Sequence, residues 1–379
     1  MSPPAAWSSL GSVGTVVGKP SAWMSGSFTH SPPCRRNDSA EKPSAGNGSV
    51  PSGESMVRRV SPDSAAAAPK PAPSYQPRRQ PSHRWVNIRG LEYHISQWGD
   101  PSLVTPQRPP LLLCHGFMDI GASFQFLVDA MADHEGERRY ILAMDWRGFG
   151  RTRGPATDAY WFPDYLADLD ALLCCEALGL DGKTPVDLLG HSMGGNIVMN
   201  YAGVQPARIR RLVNLEGFGL PRAEASEAPS RMARWLNHLR HPRPLRAFAG
   251  VNGVKARLQE NNPRLPDERA LWLAHQWAEP RDDGQWHILA DEAHKNINPL
   301  VYRVEEVLAC WARITAPVLW VEGEHTDMFD KFRIPLQEVE DRKRHIQDCK
   351  TCVVPNAGHM LHHDEPELVA RLIEQFLQE

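Results

Sequence analysis

The chain has 379 residues, 41% of them hydrophobic, which is enough to build one sizeable α/β core. A formal net charge of −3 gives no electrostatic reason to expect a nucleic-acid partner, and no apolar run is long enough for a transmembrane helix. The seven cysteines are scattered, several of them in apolar runs (Cys114, Cys174, Cys310), which points to reduced thiols in a cytoplasmic protein.

Residues 1–80 are rich in Ser, Pro, Gly and Ala and show almost no apolar periodicity. Such a segment cannot bury enough surface to offset its ordering entropy, so a disordered tail, dispensable for catalysis, is expected. It lacks the apolar h-region of a secretory signal. From residue 81 the pattern changes. Pro110–Cys114 is a short, wholly apolar run that stops at His115-Gly116-Phe117. Buried parallel strands look like this, because both faces are covered and no alternation is needed. Val186–Leu189 is a second such run, followed by Gly190-His191-Ser192-Met193-Gly194-Gly195. That G-x-S-x-G reads as a strand turning sharply into a helix, with the serine at the apex and glycines letting the two elements approach.

Leu212–Leu215 ends a further strand at Glu216, and from residue 218 to 313 the α/β alternation stops. Residues 228–236, 267–274 and 302–311 have helical apolar spacing there, separated by turns that contain proline. The tryptophans of this insertion, Trp235, Trp272, Trp277 and Trp286, either line a pocket or pack the insertion onto the core, and packing is the expected role. The strand pattern resumes at 314–321 and ends near Asp327; Thr351–Val354 is the last strand, followed by Gly358-His359 and an amphipathic helix over 366–376. Ser192, Asp327 and His359 therefore each stand just past the carboxyl end of a strand, the edge at which open α/β sheets bind ligands.

The order serine, acid, histidine, together with His115-Gly116, Asp145-Trp146-Arg147-Gly148-Phe149-Gly150, the serine turn and Gly358-His359, resembles the α/β-hydrolase fold superfamily from about Trp85 to the C-terminus. Trp161-Phe162-Pro163-Asp164-Tyr165 and Leu215-Glu216-Gly217-Phe218-Gly219 resemble little-characterised bacterial serine hydrolases of that fold. The resemblance implies a mostly parallel central sheet flanked by helices, in two core parts (residues 81–217 and 314–379), with residues 218–313 as a helical cap between strands 6 and 7.

A serine hydroxyl is a poor nucleophile near neutral pH and needs a base, for which His359 is the candidate. Main-chain N–H groups of Phe117 and Met193 are the expected oxyanion donors. The family places its acid three residues after the glycine that ends the seventh strand, where this chain has Thr326; Asp327 follows and is the preferred acid, with Glu216 as the alternative. His115, Asp145 and Arg147 are expected to be structural, and Asp119 to cap a helix over 122–126. His191 is read as packing, His362 and His363 as part of a helix-capping segment, and His287 and His294 as surface residues of the insertion. Cys349-x-x-Cys352 stands without a second pair, so structural zinc is not expected. No cofactor or metal is implied. The expected activity is hydrolysis of a small to medium carboxylic ester through an acyl-enzyme. Thioester, lactone or carbon–carbon bond hydrolysis by the same residues is the alternative, and a non-catalytic binding protein on the same fold is the alternative of another class. The sequence sets no oligomeric state.

Overall fold

A computed structural model describes residues 75–131 and 139–379. Eight strands form the central sheet: β1 (Ser82–Ile88), β2 (Leu91–Trp98), β3 (Leu111–Cys114), β4 (Ile141–Met144), β5 (Val186–His191), β6 (Ile209–Leu215), β7 (Val318–Gly323) and β8 (Cys349–Val354). Their spatial order is β1-β2-β4-β3-β5-β6-β7-β8. The pairs β1–β2 and β2–β4 are antiparallel, and all the others are parallel. The short, fully buried β3 and β4 explain why these strands read as unbroken apolar runs.

Alternate residues along the strands feed the two faces. Leu112, Leu188, Leu212 and Trp320 pack on one side with α2 (Phe162–Leu172) and α3 (Met193–Val204). Leu113, Leu189, Val213 and Val321 pack on the other with α1 (Gln125–Ala130) and the C-terminal helix Pro366–Gln378. This sandwich is the α/β architecture expected from the sequence.

Between β6 and β7 the chain forms α4 (Ala228–Arg240), α5 (Val251–Asn261), α6 (Asp267–Trp277) and α7 (Val304–Trp311). It also forms a three-stranded antiparallel sheet of Ala247–Phe248, Trp286–Ile288 and Ala278–Pro280, which sequence reading misses because strands of two or three residues carry no period. Phe248, Val254, Leu273 and Trp277 of this insertion share a buried cluster with Ile120 and Phe126 of the core. Helices α8 (Met328–Phe332) and α9 (Leu336–Lys343) connect β7 to β8, and α10 (Leu361–Asp364) precedes the C-terminal helix, α11.

The expected tail boundary needs correction. Residues 1–74 lie outside the described residues, but 75–80 are anchored on α1. The buried Asp129 carboxylate accepts the Tyr75 hydroxyl and the Arg78 and Arg79 N–H groups, the last two at 3.0 and 2.7 Å. Tyr75 also packs edge-on against Phe126 and Trp272. Among the described residues no helix is long and apolar enough to cross a membrane.

Candidate active site

Ser192 joins β5 to α3 with φ 53° and ψ −115°, a left-handed conformation that side chains other than glycine rarely adopt. Its neighbours make that turn possible. A Cβ on Gly190 would collide with the Gly194 carbonyl, and a Cβ on Gly194 with the Cys114 carbonyl, so only glycine lets strand, turn and helix close on one another. The Ser192 N–H is held by the Leu215 carbonyl at 2.8 Å, which ties the turn to β6. The hydroxyl is left facing the loop after β8.

His359 comes from that loop. Its Nε2 is 3.0 Å from Ser192 Oγ, and its Nδ1 is 3.0 Å from Glu216 Oε2. With Nδ1–H donating to the carboxylate, the Nε2 lone pair faces the serine hydroxyl, the tautomer a general base needs. The carboxylate that meets Nδ1 is that of Glu216 at the end of β6, the alternative acid, and not that of Asp327, the preferred one. Asp327 stands exposed before α8 and makes no hydrogen bond to His359. Glu216 has φ 58°, and its N–H donates to the Val321 carbonyl of β7 at 3.0 Å. That turn directs its side chain under the histidine. The carboxylate also accepts the Gly323 N–H at 2.7 Å and the Thr326 hydroxyl at 2.5 Å. Thr326, the residue standing where the family usually carries its acid, therefore holds the carboxylate that faces His359.

The electrostatics follow from burial. Loss of water pushes the Glu216 carboxyl above its usual range, opposed by the Thr326 hydroxyl and the Gly323 N–H. Burial, and then the Lys331 charge, lower the His359 imidazole, with Asp327 acting weakly in the other direction. His359 is accordingly neutral at neutral pH, ready to accept a proton.

Opposite the serine, Gly116 approaches the Ser192 side chain so closely that a Cβ there would lie 3.2 Å from Ser192 Cβ. The next residue, Phe117, has an exposed ring, and among the described residues neither its N–H nor that of Met193 has a protein acceptor. His115 is buried: its Nε2 accepts the Trp146 N–H at 2.9 Å and its carbonyl accepts the Trp146 indole N–H at 3.1 Å, a structural role as expected. Asp145 likewise shapes its turn, accepting the Gly121 and Arg151 N–H groups at 2.7 and 2.8 Å. Arg147 pairs with Asp168.

Other expectations change. Asp119 is not a helix cap; the residue before the turn Gly121–Phe124 is Ile120, and Asp119 is buried. His362 and His363 are buried in α10, and His294 is buried, stacked between the Phe149 and Tyr160 rings, rather than at the surface. His287 is partly exposed beside Asp283. The packing role of the tryptophans is clearest at Trp277, whose indole N–H holds the Met118 carbonyl at 3.1 Å beside the His115–Phe117 loop. Thr326 is the site residue whose part motif reading missed; the signal available was a threonine in an acid's place.

A family profile described as alpha/beta hydrolase fold matches residues 109–366. The chain is 26% identical over 303 residues to a serine hydrolase-like protein of Danio rerio, covering 78% of this chain and 86% of that one. It is 25% identical over 269 residues to the 2-(acetamidomethylene)succinate hydrolase of Mesorhizobium japonicum, covering 71% and 88%. Among solved structures, a thioesterase domain from the curacin biosynthetic pathway superposes with a TM-score of 0.64 at 22% identity, covering 78% of this chain and 99% of that domain, a likeness of fold. With a profile match spanning more than half its length, on a sheet and serine turn of this architecture, the chain belongs to the alpha/beta hydrolase fold family.

Proposed function

We propose that this chain is a serine hydrolase that cleaves the acyl bond of a small to medium carboxylic ester through an acyl-enzyme. The observation that carries this reading is the continuous hydrogen-bonded chain from Ser192 through His359 to Glu216, with both links at 3.0 Å. Hydrolase names among the relatives of comparable length support the reaction class.

In this reading Ser192 Oγ attacks the substrate carbonyl as its proton passes to His359 Nε2. Glu216 stabilises the imidazolium so formed and keeps the ring in register. The carbonyl oxygen gains negative charge and is met by the Phe117 and Met193 N–H groups, donors of a kind whose individual loss typically costs about 10²–10³ in rate. The tetrahedral intermediate collapses, the alcohol leaves with the proton from His359, and water repeats the sequence to release the acid. Residues 218–313 act as the cap over this edge of the sheet, a role supported by the shared packing of Trp277 and Phe248 with Ile120 and Phe126.

The test is labelling with a fluorophosphonate, followed by mass-spectrometric mapping. Modification of Ser192 in the folded protein, lost after heat denaturation, is expected. A well-folded protein that stays unlabelled would favour the non-catalytic alternative.

A further inference from the structure

Directly behind the catalytic histidine lies a second cluster with no part in the reaction just described. Asp119, His191 and His362 come from three separate segments, and one ligand atom of each lies within 4.8 Å of the others. All three residues are more than nine-tenths buried. Each carries one buried polar atom without a hydrogen-bond partner: Asp119 Oδ2, His191 Nδ1 and His362 Nδ1.

The surrounding bonds decide which protons these atoms carry. His191 Nε2 lies 2.8 Å from the His359 carbonyl oxygen, which only accepts, so the His191 proton is on Nε2 and Nδ1 is a bare lone pair. His363 Nε2 lies 3.1 Å from the Ser123 carbonyl oxygen and so also carries its proton there; it cannot take one from the Ser123 hydroxyl, 2.6 Å away. The Ser123 hydroxyl and the Ile120 N–H act on the Asp119 carboxyl and favour its charged form, against the burial that opposes it. The remaining neighbour of Ser123 Oγ is His362 Nε2 at 3.4 Å; with the His362 proton on that nitrogen, Nδ1 is a bare lone pair. In this tautomer, with Asp119 ionised, three acceptors converge with no donor among them. One water has two hydrogens and satisfies two of the three; a cation satisfies all three together.

We infer that Asp119, His191 and His362 form a buried binding site for a divalent transition-metal ion of the zinc type. Two imidazoles and a carboxylate are a common zinc donor set, and a modest contraction brings the three atoms to the ~2.0–2.2 Å that zinc requires. The outer contacts have the pattern that orients metal-bound histidines, each ring donating its second N–H to a protein oxygen: the His359 carbonyl for His191 and the Ser123 hydroxyl for His362. The ion would join the Gly116 loop, the serine turn and the loop carrying His359, holding the base in place without touching the substrate.

The full chain, treated with chelator under mild denaturation and refolded with Zn²⁺ or Co²⁺, tests this. One equivalent of bound metal by plasma mass spectrometry is expected, with a higher Tm than the metal-free sample. The Co²⁺ form should show visible ligand-field bands without thiolate charge-transfer absorption, which excludes Cys349 and Cys352 as the ligands. Ser192→Ala should keep the ion, and Asp119→Asn and His362→Gln should each weaken binding at least tenfold. No bound metal in the refolded wild-type chain would overturn the inference and leave a protonated Asp119 with a water in its place. Binding that survives both ligand substitutions would overturn it as well.

Discussion

Thr326 donates its hydroxyl to Glu216 Oε2 at 2.5 Å, the same oxygen that faces Nδ1 of His359. One carboxylate oxygen thus serves both the base and the residue that keeps the acid from rotating away. A hydrogen bond to a charged, buried acceptor is worth about 1.5–3 kcal/mol. Thr326→Val should therefore lower kcat by roughly 10-fold or more, with KM little changed, and Thr326→Ser should recover most of it. Steady-state kinetics on a soluble ester decide this; an unchanged kcat in the valine variant would mean that the Gly323 N–H alone positions Glu216.

The lowered basicity of His359 sets the pH profile. A group pushed below its ordinary value stays unprotonated to lower pH, so the base remains available on the acid side. The acid limb of kcat/KM should fall at a pH below the ordinary histidine value of about 6.5. An apparent pKa at or above 7 would show that the carboxylate, not burial, dominates the pair.

His294 offers a measurable stability term. Burial between the Phe149 and Tyr160 rings lowers its pKa to about 3. A native pKa below the unfolded one gives stability that is full above about 6.5 and is lost progressively as pH falls toward the native value, at roughly 1.4 kcal/mol per pH unit. His294→Phe removes that dependence. The difference in urea-unfolding free energy, variant minus wild type, should rise by about that amount for each unit below pH 6; a difference independent of pH would contradict the assignment.

Asp129 anchors residues 75–80 through the Tyr75 hydroxyl and two main-chain N–H groups. Asp129→Ala should leave the rate on a soluble ester nearly unchanged but release the segment, seen as faster tryptic cleavage after Arg78 and Arg79. Removing residues 1–74 should leave both rate and Tm unaltered, whereas removal through residue 80 should lower Tm. Equal cleavage in wild type and variant would show that the anchor contributes little.

Much of this architecture is legible in the chain itself. Apolar runs such as Leu111–Cys114 announce buried strands, and the Ser192 turn needs glycines whose spacing is visible at once. His359 follows the last strand, where a base is required. The acid is not legible in the same way, because β6 and β7 are neighbours and each ends in carboxylates. Leu215 pairs with Val321, so Glu216 and the Gly323–Thr326 segment meet in space, and which carboxylate turns inward depends on the left-handed Glu216 backbone. Burial of His294 and His362 is equally hidden, since polar residues beside loops look like surface residues until the insertion and the last helices pack over them. The small sheet of the insertion escapes for lack of length.

The central claim is that the acid is Glu216, and a paired comparison tests it most directly. Glu216→Gln keeps the shape of the side chain but removes the charge that stabilises the imidazolium, and by analogy with other triad acids kcat should fall by about 10⁴. Asp327→Asn should change kcat less than about threefold, because an exposed residue with no bond to His359 loses only screened electrostatics. A large loss in Asp327→Asn with a mild one in Glu216→Gln would contradict the account and return the acid to the loop after β7.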